Sequence, residues 1–248
     1  MRLSVIIPAY NAEQIIVPTL EAVSEWLKQK DLDYEIIVVS DGSKDKTVEV
    51  LESFKVSKFQ SFKVSKFQSL RVIDNKKNHG KGWVVKQGML AATGDLRLFM
   101  DDDNSTTIDQ LDNFLPYIDQ GYEVVIGSIE LSGAQVNEQA QWYRRFLGHV
   151  AKLIIRLGAG LWSIKDTQRG FKLFTEKAVK IIFPRVTITR WGFDFEVLAI
   201  AKKHGLKIKE VPVVWNNPSG SRVSLGSYIS TFKDLLKVRL NLWSGIYD

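Results

Sequence analysis

The sequence has no cysteine, which removes disulfides, thiol nucleophiles and zinc–thiolate centres and leaves the redox compartment unread. Its three histidines, His79, His149 and His204, are read as surface or packing residues. No apolar run approaches the ~20 residues that span a bilayer. The first apolar run begins at Leu3 and leaves no room for a secretion signal. A cytosolic protein, or one held on the cytosolic face of a membrane, is therefore expected. Zinc-finger spacing and the aromatic–basic strand motif are missing, so nucleic acid is not an expected partner. Nor is there a linker long enough to separate two domains.

What is present is ordinary in bulk. The 248 residues are 45% hydrophobic and 25% charged, as in soluble globular proteins, and suffice for a large core. A formal net charge of +6 favours an anionic partner such as a phosphorylated substrate or an anionic lipid.

Short apolar runs at residues 3–8 (closed by Pro8), 34–39, 70–73, 96–100, 122–127 and 207–211 read as strands. Helical patterns separate them. One runs to about residue 30, with Ile16, Leu20, Val23 and Leu27 on one face. Others start near 45, run to about 92, cover 108–118 and 141–157, end near 204, and close the chain. The alternation predicts one α/β domain, with a mostly parallel sheet, right-handed crossovers and helices on both faces. Residues 53–60 recur unchanged at 61–68. Eight residues are not a whole number of helical turns, so the second copy turns any apolar face out of register. It is read as a tolerated loop extension.

The run at 96–100 ends in Asp101, Asp102 and Asp103. These acids fall at the carboxyl end of a strand, where open α/β sheets bind ligands. Adjacent carboxylates repel unless a cation joins them, and hard oxygen donors suit Mg²⁺ or Mn²⁺ bridging to phosphates. A solvated acidic turn is the plainer reading of the triplet by itself. Residues 78–82, Asn-His-Gly-Lys-Gly, read as a flexible loop with Lys81 at a helix start, suited to a phosphate. Val85 stands where the dinucleotide fingerprint needs its last glycine.

Two helices mix apolar and basic residues. That at 141–157 puts Trp142, Phe146, Val150, Leu153 and Leu157 on one side, with Arg144, Arg145, Lys152 and Arg156 elsewhere. The terminal one sets Phe232, Leu235, Leu236, Leu242, Trp243 and Ile246 against Lys233, Lys237 and Arg239. This is the pattern of a helix lying on a membrane surface; core packing explains the apolar stripe equally well.

Seven segments are collinear with the motifs of a known family: Ile7-Pro8-Ala9-Tyr10-Asn11, Ser40-Asp41-Gly42-Ser43, Asn78-His79-Gly80-Lys81-Gly82, Asp101-Asp102-Asp103, Asp166-Thr167-Gln168 with Gly170-Phe171-Lys172, Phe193-Asp194-Phe195-Glu196, and Ser221-Arg222. In that order they resemble glycosyltransferase family 2, inverting enzymes of the GT-A fold. Within it the likeness is to polyprenyl-phosphate sugar synthases, especially the dolichyl-phosphate glucose synthases.

The resemblance implies a metal-dependent hexosyltransferase that moves glucose from UDP-glucose to a dolichyl or undecaprenyl phosphate. It implies that Pro8, Tyr10, Asn11 and Glu13, with Asp41, Gly42 and Ser43, hold uracil and ribose. Asp101 and Asp103 would carry Mg²⁺ or Mn²⁺, and Asp102 would face the nucleotide or sugar. Lys81 and Arg222 would neutralise phosphates, and Arg169 and Lys172 would lie near the acceptor's phosphate or the donor's diphosphate. Asp103 and Asp194 are the expected catalytic residues. Asp194 stands where relatives with hydroxyl acceptors place a base, and here it would orient sugar or acceptor. Its plainer reading is a carboxylate near a helix start.

Ile129 stands where relatives often carry an arginine, with Arg144 or Arg145 as the expected substitute. Thr187 stands where processive synthases require glutamine, which disfavours a processive enzyme. The remaining alternatives are GDP-mannose as donor, a soluble sugar or protein as acceptor, and an inactive nucleotide-sugar binder or membrane scaffold. Residues 1–127 would form the nucleotide-binding half, 128–229 the acceptor half and 230–248 a membrane-surface helix.

Overall fold

Runs apolar enough to be buried on both faces pair side by side. In the computed structural model, which describes residues 1–30, 32–60, 68–137, 142–216 and 225–248, β1 (Arg2–Ala9) lies between β2 (Asp33–Asp41) and β4 (Leu96–Met100). β3 (Gln68–Asn75) flanks β2, and all four are parallel. β2 is buried from Tyr34 to Asp41 and β4 throughout, the continuous burial typical of parallel strands. β7 (Phe171–Thr175) then runs antiparallel between β4 and β5 (Val124–Ser128), and β8 (Ile208–Pro212) continues parallel to β5. The seven-stranded sheet has the order β3-β2-β1-β4-β7-β5-β8. A small parallel ribbon joins β6 (Gln135–Asn137) to β9 (Val214–Asn216).

Successive side chains of each strand point to opposite faces, so the sheet carries two cores. Ile36 and Val38 join the core under α1 (Ile16–Gln29) and α2 (Thr47–Lys55). Ile37 and Val39 join the other, built with α3 (Lys81–Ala91), α5 (Trp142–Gly158), α6 (Glu176–Ile182), α7 (Phe193–Lys203) and α8 (Leu225–Trp243). The expected face of α1 is buried as read, Ile16, Leu20, Val23 and Leu27 among its buried residues.

Three local expectations are corrected. β1 does not stop at Pro8 but runs on to Ala9. β4 pairs with β1 only as far as Ile6, so a proline at 8 interrupts no bond on that side. Residues 108–118 are not one helix. A 3₁₀ turn over Ile108–Asn113 gives way to the short α4 (Leu115–Asp119), where Pro116 sits in the first turn without the N–H a continuing helix needs. β7 was not expected as a strand, because Lys172 interrupts its apolar pattern.

α2 leads into a wider turn at Val56–Gln60; the rest of the duplicated segment, at 61–67, lies outside the described residues. So does Arg222, and so do the side chains of Trp142, Arg144, Arg145, Phe146 and Val150. Among the described residues no helix is long and apolar enough to cross a membrane.

Candidate active site

Parallel β1 to β4 end at one edge of the sheet, so the loops that follow them share it. Antiparallel β7 begins at that edge. Its register pairs Phe171 with Met100, which sets Gly170 beside Asp101. The Asp101 N–H donates to Gly170 O at 3.1 Å, and a Cβ on Gly170 would land on the Asp101 carboxylate.

On the β1–β2 side, polar side chains stitch the loops together. The Asn11 N–H donates to Ser43 Oγ at 3.1 Å, and Lys44 N–H donates to Asn11 Oδ1 at 2.8 Å. Lys46 N–H donates to Glu13 Oε2 at 2.9 Å, and Glu13 N–H donates to Asp45 Oδ2 at 3.2 Å. Gly42 turns the chain with φ 69°, and a Cβ there would strike the backbone of Lys77. Asp41 is buried, and both its oxygens hold backbone. Oδ1 accepts from His79 N–H at 2.7 Å and Oδ2 from Gly80 N–H at 2.9 Å. The 78–82 loop is thus clamped, not flexible. A Cβ on Gly80 would collide with Thr189 O, and one on Gly82 with Ile188 O. Pro8 is buried inside β1, while Tyr10 is 37% exposed at the loop.

At the tip of β4, acids and lysines alternate. Lys81 Nζ lies 2.6 Å from Asp101 Oδ1, between the rings of Phe99 (5.4 Å) and Trp191 (5.0 Å). Burial pushes its ammonium down, but Asp101, Asp194 and Asp102 outweigh burial and raise it above the ordinary lysine range. Beneath them Lys172 Nζ bridges Asp194 Oδ1 and Arg169 O. The two side chains of this pair are only 1% and 4% exposed. Burial pushes the Asp194 carboxyl up, against the pull of Lys172 and Lys81. Asp102 is tethered through its carbonyl, which accepts from Thr19 Oγ1 at 2.9 Å. Asp103 Oδ1 accepts from Ser105 N–H at 3.0 Å.

The segment before β7 forms the far wall. Asp166 is fully buried. Burial raises its carboxyl, but Arg169, Lys152 and the Ile129 N–H prevail and hold it low. Arg169 Nε lies 3.5 Å from Asp166 Oδ2, and its guanidinium stands 4.6 Å from the Trp215 ring centroid. Among the described residues Arg169 Nε, Thr167 Oγ1 and Asn104 Oδ1 are buried without a hydrogen-bond partner. Unsatisfied groups of this kind call for an explanation, and a bound polar ligand is one.

The donor set fits Mg²⁺ or Mn²⁺ of one kind only. Asp101 and Asp103 offer hard carboxylate oxygens, and Asp101 already holds a cation, the Lys81 ammonium. Among the described residues no cluster of three or more His, Cys, Asp or Glu side chains could hold a metal alone. The other ligands would be substrate oxygens and water, as Mg²⁺ prefers. The residues therefore suit an ion shared with a diphosphate rather than a structural metal.

The structure brings Lys81, Asp101, Lys172 and Asp194 together, with Asp102 and Asp103 beside them. It separates Lys172 from any open surface, so the expected phosphate contact of Lys172 gives way to a buried ion pair. The sequence reading gave no site role to Trp191, Trp215 or Glu196, although Glu196 closes one of the seven segments. Glu196 is fully buried and accepts from Thr187 N–H, Ile188 N–H and Tyr247 Oη at 2.9, 2.9 and 2.6 Å, which locks the 187–188 loop to the chain's end. Its place three residues after Phe193 was the only sequence signal.

Comparison with known proteins bears on this arrangement. The family model described as Glycosyl transferase family 2 matches residues 4–198. A dolichyl-phosphate beta-glucosyltransferase of Trichomonas vaginalis is 34% identical over 98% of this chain and 72% of its own. Proteins of that description from Saccharomyces cerevisiae and Homo sapiens are 33% and 32% identical over 99% of this chain, covering 76% and 77% of theirs. Among solved structures, mannosyl-3-phosphoglycerate synthase from Rubrobacter xylanophilus superposes with a TM-score of 0.70 at 15% identity, over 99% of this chain and 76% of that one. Mycobacterium tuberculosis glucosyl-3-phosphoglycerate synthase, in complex with Mn²⁺ and UDP-glucose, gives 0.65 at 17% identity over 95% and 78%. At such identities the likeness to these structures is one of fold.

Proposed function

The chain belongs to glycosyl transferase family 2, and from that premise we propose that it moves glucose from UDP-glucose to a polyprenyl phosphate at a membrane surface, inverting the anomeric configuration. The fold is GT-A and the chain is a glycosyltransferase. Its likeness, over nearly the whole of this chain, to dolichyl-phosphate beta-glucosyltransferases supports this donor and acceptor. The single observation that carries the chemistry is the alternation of Asp101, Lys81, Asp194 and Lys172 at the sheet's carboxyl edge.

Asp101 and Asp103 would hold Mg²⁺ or Mn²⁺, which when bound supplies positive charge to a departing diphosphate. Lys81 adds an ammonium at the same edge, where charge grows in the transition state. The acceptor phosphate is anionic at neutral pH and attacks without a general base. Asp194 suits that economy. Enclosed and salt-bridged to Lys172, it is out of reach of an acceptor's proton. We assign it as a positioning residue that neutralises Lys172 and draws on Lys81. Tyr10, Asn11 and Glu13, with Asp41 to Ser43, form the nucleoside side. Arg169, steadied by Trp215, is the described cation available to the acceptor phosphate. Residues 1–127 then serve the donor and 128–229 the acceptor, with 230–248 at the bilayer.

A thermal-shift comparison tests the donor. A ligand present at about 100 times its Kd stabilises by about 2.7 kcal/mol. With Mn²⁺ present, UDP is expected to raise the melting temperature and GDP to leave it nearly unchanged. Preferential stabilisation by GDP would overturn the glucose assignment in favour of GDP-mannose.

A further inference from the structure

α5 and α8 cross so closely that a Cβ on Gly158 would strike Leu235. Together they carry seven Lys and Arg residues and one acid, Asp234. Their net charge of +6 equals that of the whole chain, so the remaining residues balance and the excess belongs to these two segments of sequence. Nine of the fourteen large hydrophobic side chains exposed among the described residues also lie on these helices or just after them. Phe232, Leu236, Leu240 and Trp243 are between 51% and 72% exposed, and their spacing puts them on one helical face. A surface both apolar and cationic is that of an interfacial helix facing anionic lipid.

One feature on this surface is more specific. α7 spans eleven residues, about 16 Å at 1.5 Å per residue, so its last turn is far from Asp194. Beside that turn a shallow groove of about 420 Å³ is floored by Ala159, Gly160 and Ala199 and rimmed by Lys202, Lys203 and Arg239. Lys202 Nζ donates to Gly160 O at 2.6 Å. Lys203 pairs with Asp248 at 2.5 Å. Arg239 lies 4.9 Å from the Trp243 ring centroid and has no carboxylate in ion-pair range among the described residues. The small floor leaves room that cations surround, and the exposed stripe of α8 runs alongside.

We propose that this groove takes the phosphate headgroup of an anionic phospholipid while Phe232, Leu236, Leu240 and Trp243 enter the acyl boundary. The inference rests on the membrane-surface reading above and adds a second lipid contact, apart from the acceptor's. It also links that contact to the site. Asp234 of α8 accepts from Gly192 N–H at 3.3 Å, two residues before Asp194, so the helix that carries Arg239 also holds the site's edge.

Co-sedimentation with vesicles tests it, using phosphatidylcholine alone or mixed with phosphatidylglycerol. Wild-type protein is expected to bind the mixed vesicles and to bind neutral ones far more weakly. Lys203→Gln with Arg239→Gln should lower binding to the mixed vesicles about 30-fold. Lys177→Gln with Lys180→Gln, the same charge change on α6, should not. Leu240→Glu, at an exposed position, should lose binding with its melting temperature unchanged.

Equal loss in the α6 control would reduce the effect to diffuse charge and overturn the groove. So would full binding by the groove variant, or a wild type indifferent to phosphatidylglycerol. Release by inorganic phosphate at constant ionic strength would identify a free-phosphate site instead. In detergent, with a short-chain polyprenyl phosphate, the groove variant should transfer glucose at the wild-type rate; loss there would overturn a docking role. A wild type inactive in that assay would sink the proposed reaction and not the groove, since vesicle binding is read separately.

Discussion

The two sides of the carboxyl edge use the same group for different ends. On the β1–β2 side carboxylates grip backbone: Asp41 takes the N–H groups of His79 and Gly80, and Glu13 that of Lys46. At the tip of β4 and beneath it they grip lysines: Asp101 takes Lys81 and Asp194 takes Lys172. A backbone amide cannot leave, so the first arrangement fixes the shape of the loops. An ammonium on a flexible stem can be redirected, so at Lys81, which is partly exposed, the second holds charge that a ligand is able to rearrange. The lesson is that rigidity and reactivity are divided between neighbouring loops; Asp103, held by the Ser105 N–H at the tip of β4, joins a backbone partner to a reactive position.

The comparison breaks most visibly at Asp103. Asp103→Asn is expected to lower transfer about 100-fold or more with an unchanged melting temperature; full activity would remove the metal assignment. Next comes Lys172→Met, which strands Asp194 as a buried unpaired charge and should cost about 3–5 kcal/mol in chemical denaturation. Lys172→Met with Asp194→Leu should recover most of that stability while transfer stays slow. A single variant as stable as wild type would show the pair to be solvated.

Asp41→Asn is a smaller test. An amide offers one accepting oxygen where two N–H groups need partners, so about 1–3 kcal/mol should be lost, together with UDP affinity in a titration. Unchanged affinity would separate the clamp from the nucleotide site.

The smallest effect is in pH dependence. Burial pushes the Glu35 carboxyl up, but hydrogen bonds from Ser4 and Thr93 outweigh it and hold it below the ordinary range. A carboxyl held low adds stability at pH above its unfolded value, about 4.3, and loses it as pH falls through the folded one. Wild-type melting temperature should therefore drop as pH falls below about 4.3, and Glu35→Gln should flatten that limb. An equally steep limb in the variant would place the acid sensitivity elsewhere. Asp194, pushed up by burial, acts with the opposite sign.

Local pattern made part of this legible. Continuous apolar runs marked β1, β2 and β4, and the acids after Met100 marked the edge where ligands bind. The pair of Lys172 and Asp194 was not legible, because only the antiparallel register of β7 brings the two together. For the same reason a strand with a lysine in its middle did not read as a core strand. The stripe on α8 was read only in part. Leu235 turns out to be core and Leu242 packs against it, while Phe232, Leu236 and Trp243 face outward. A helix apolar on two sides cannot say which one the fold will take.

The most direct measurement is transfer of label by the purified chain in the presence of Mn²⁺ and polyprenyl phosphate, with radiolabelled UDP-glucose and GDP-mannose supplied in parallel. Label from UDP-glucose should enter the organic-extractable lipid, and Asp103→Asn should lower that transfer about 100-fold or more. Labelled lipid from GDP-mannose alone, or a water-soluble product formed equally well without polyprenyl phosphate, would contradict the proposed reaction.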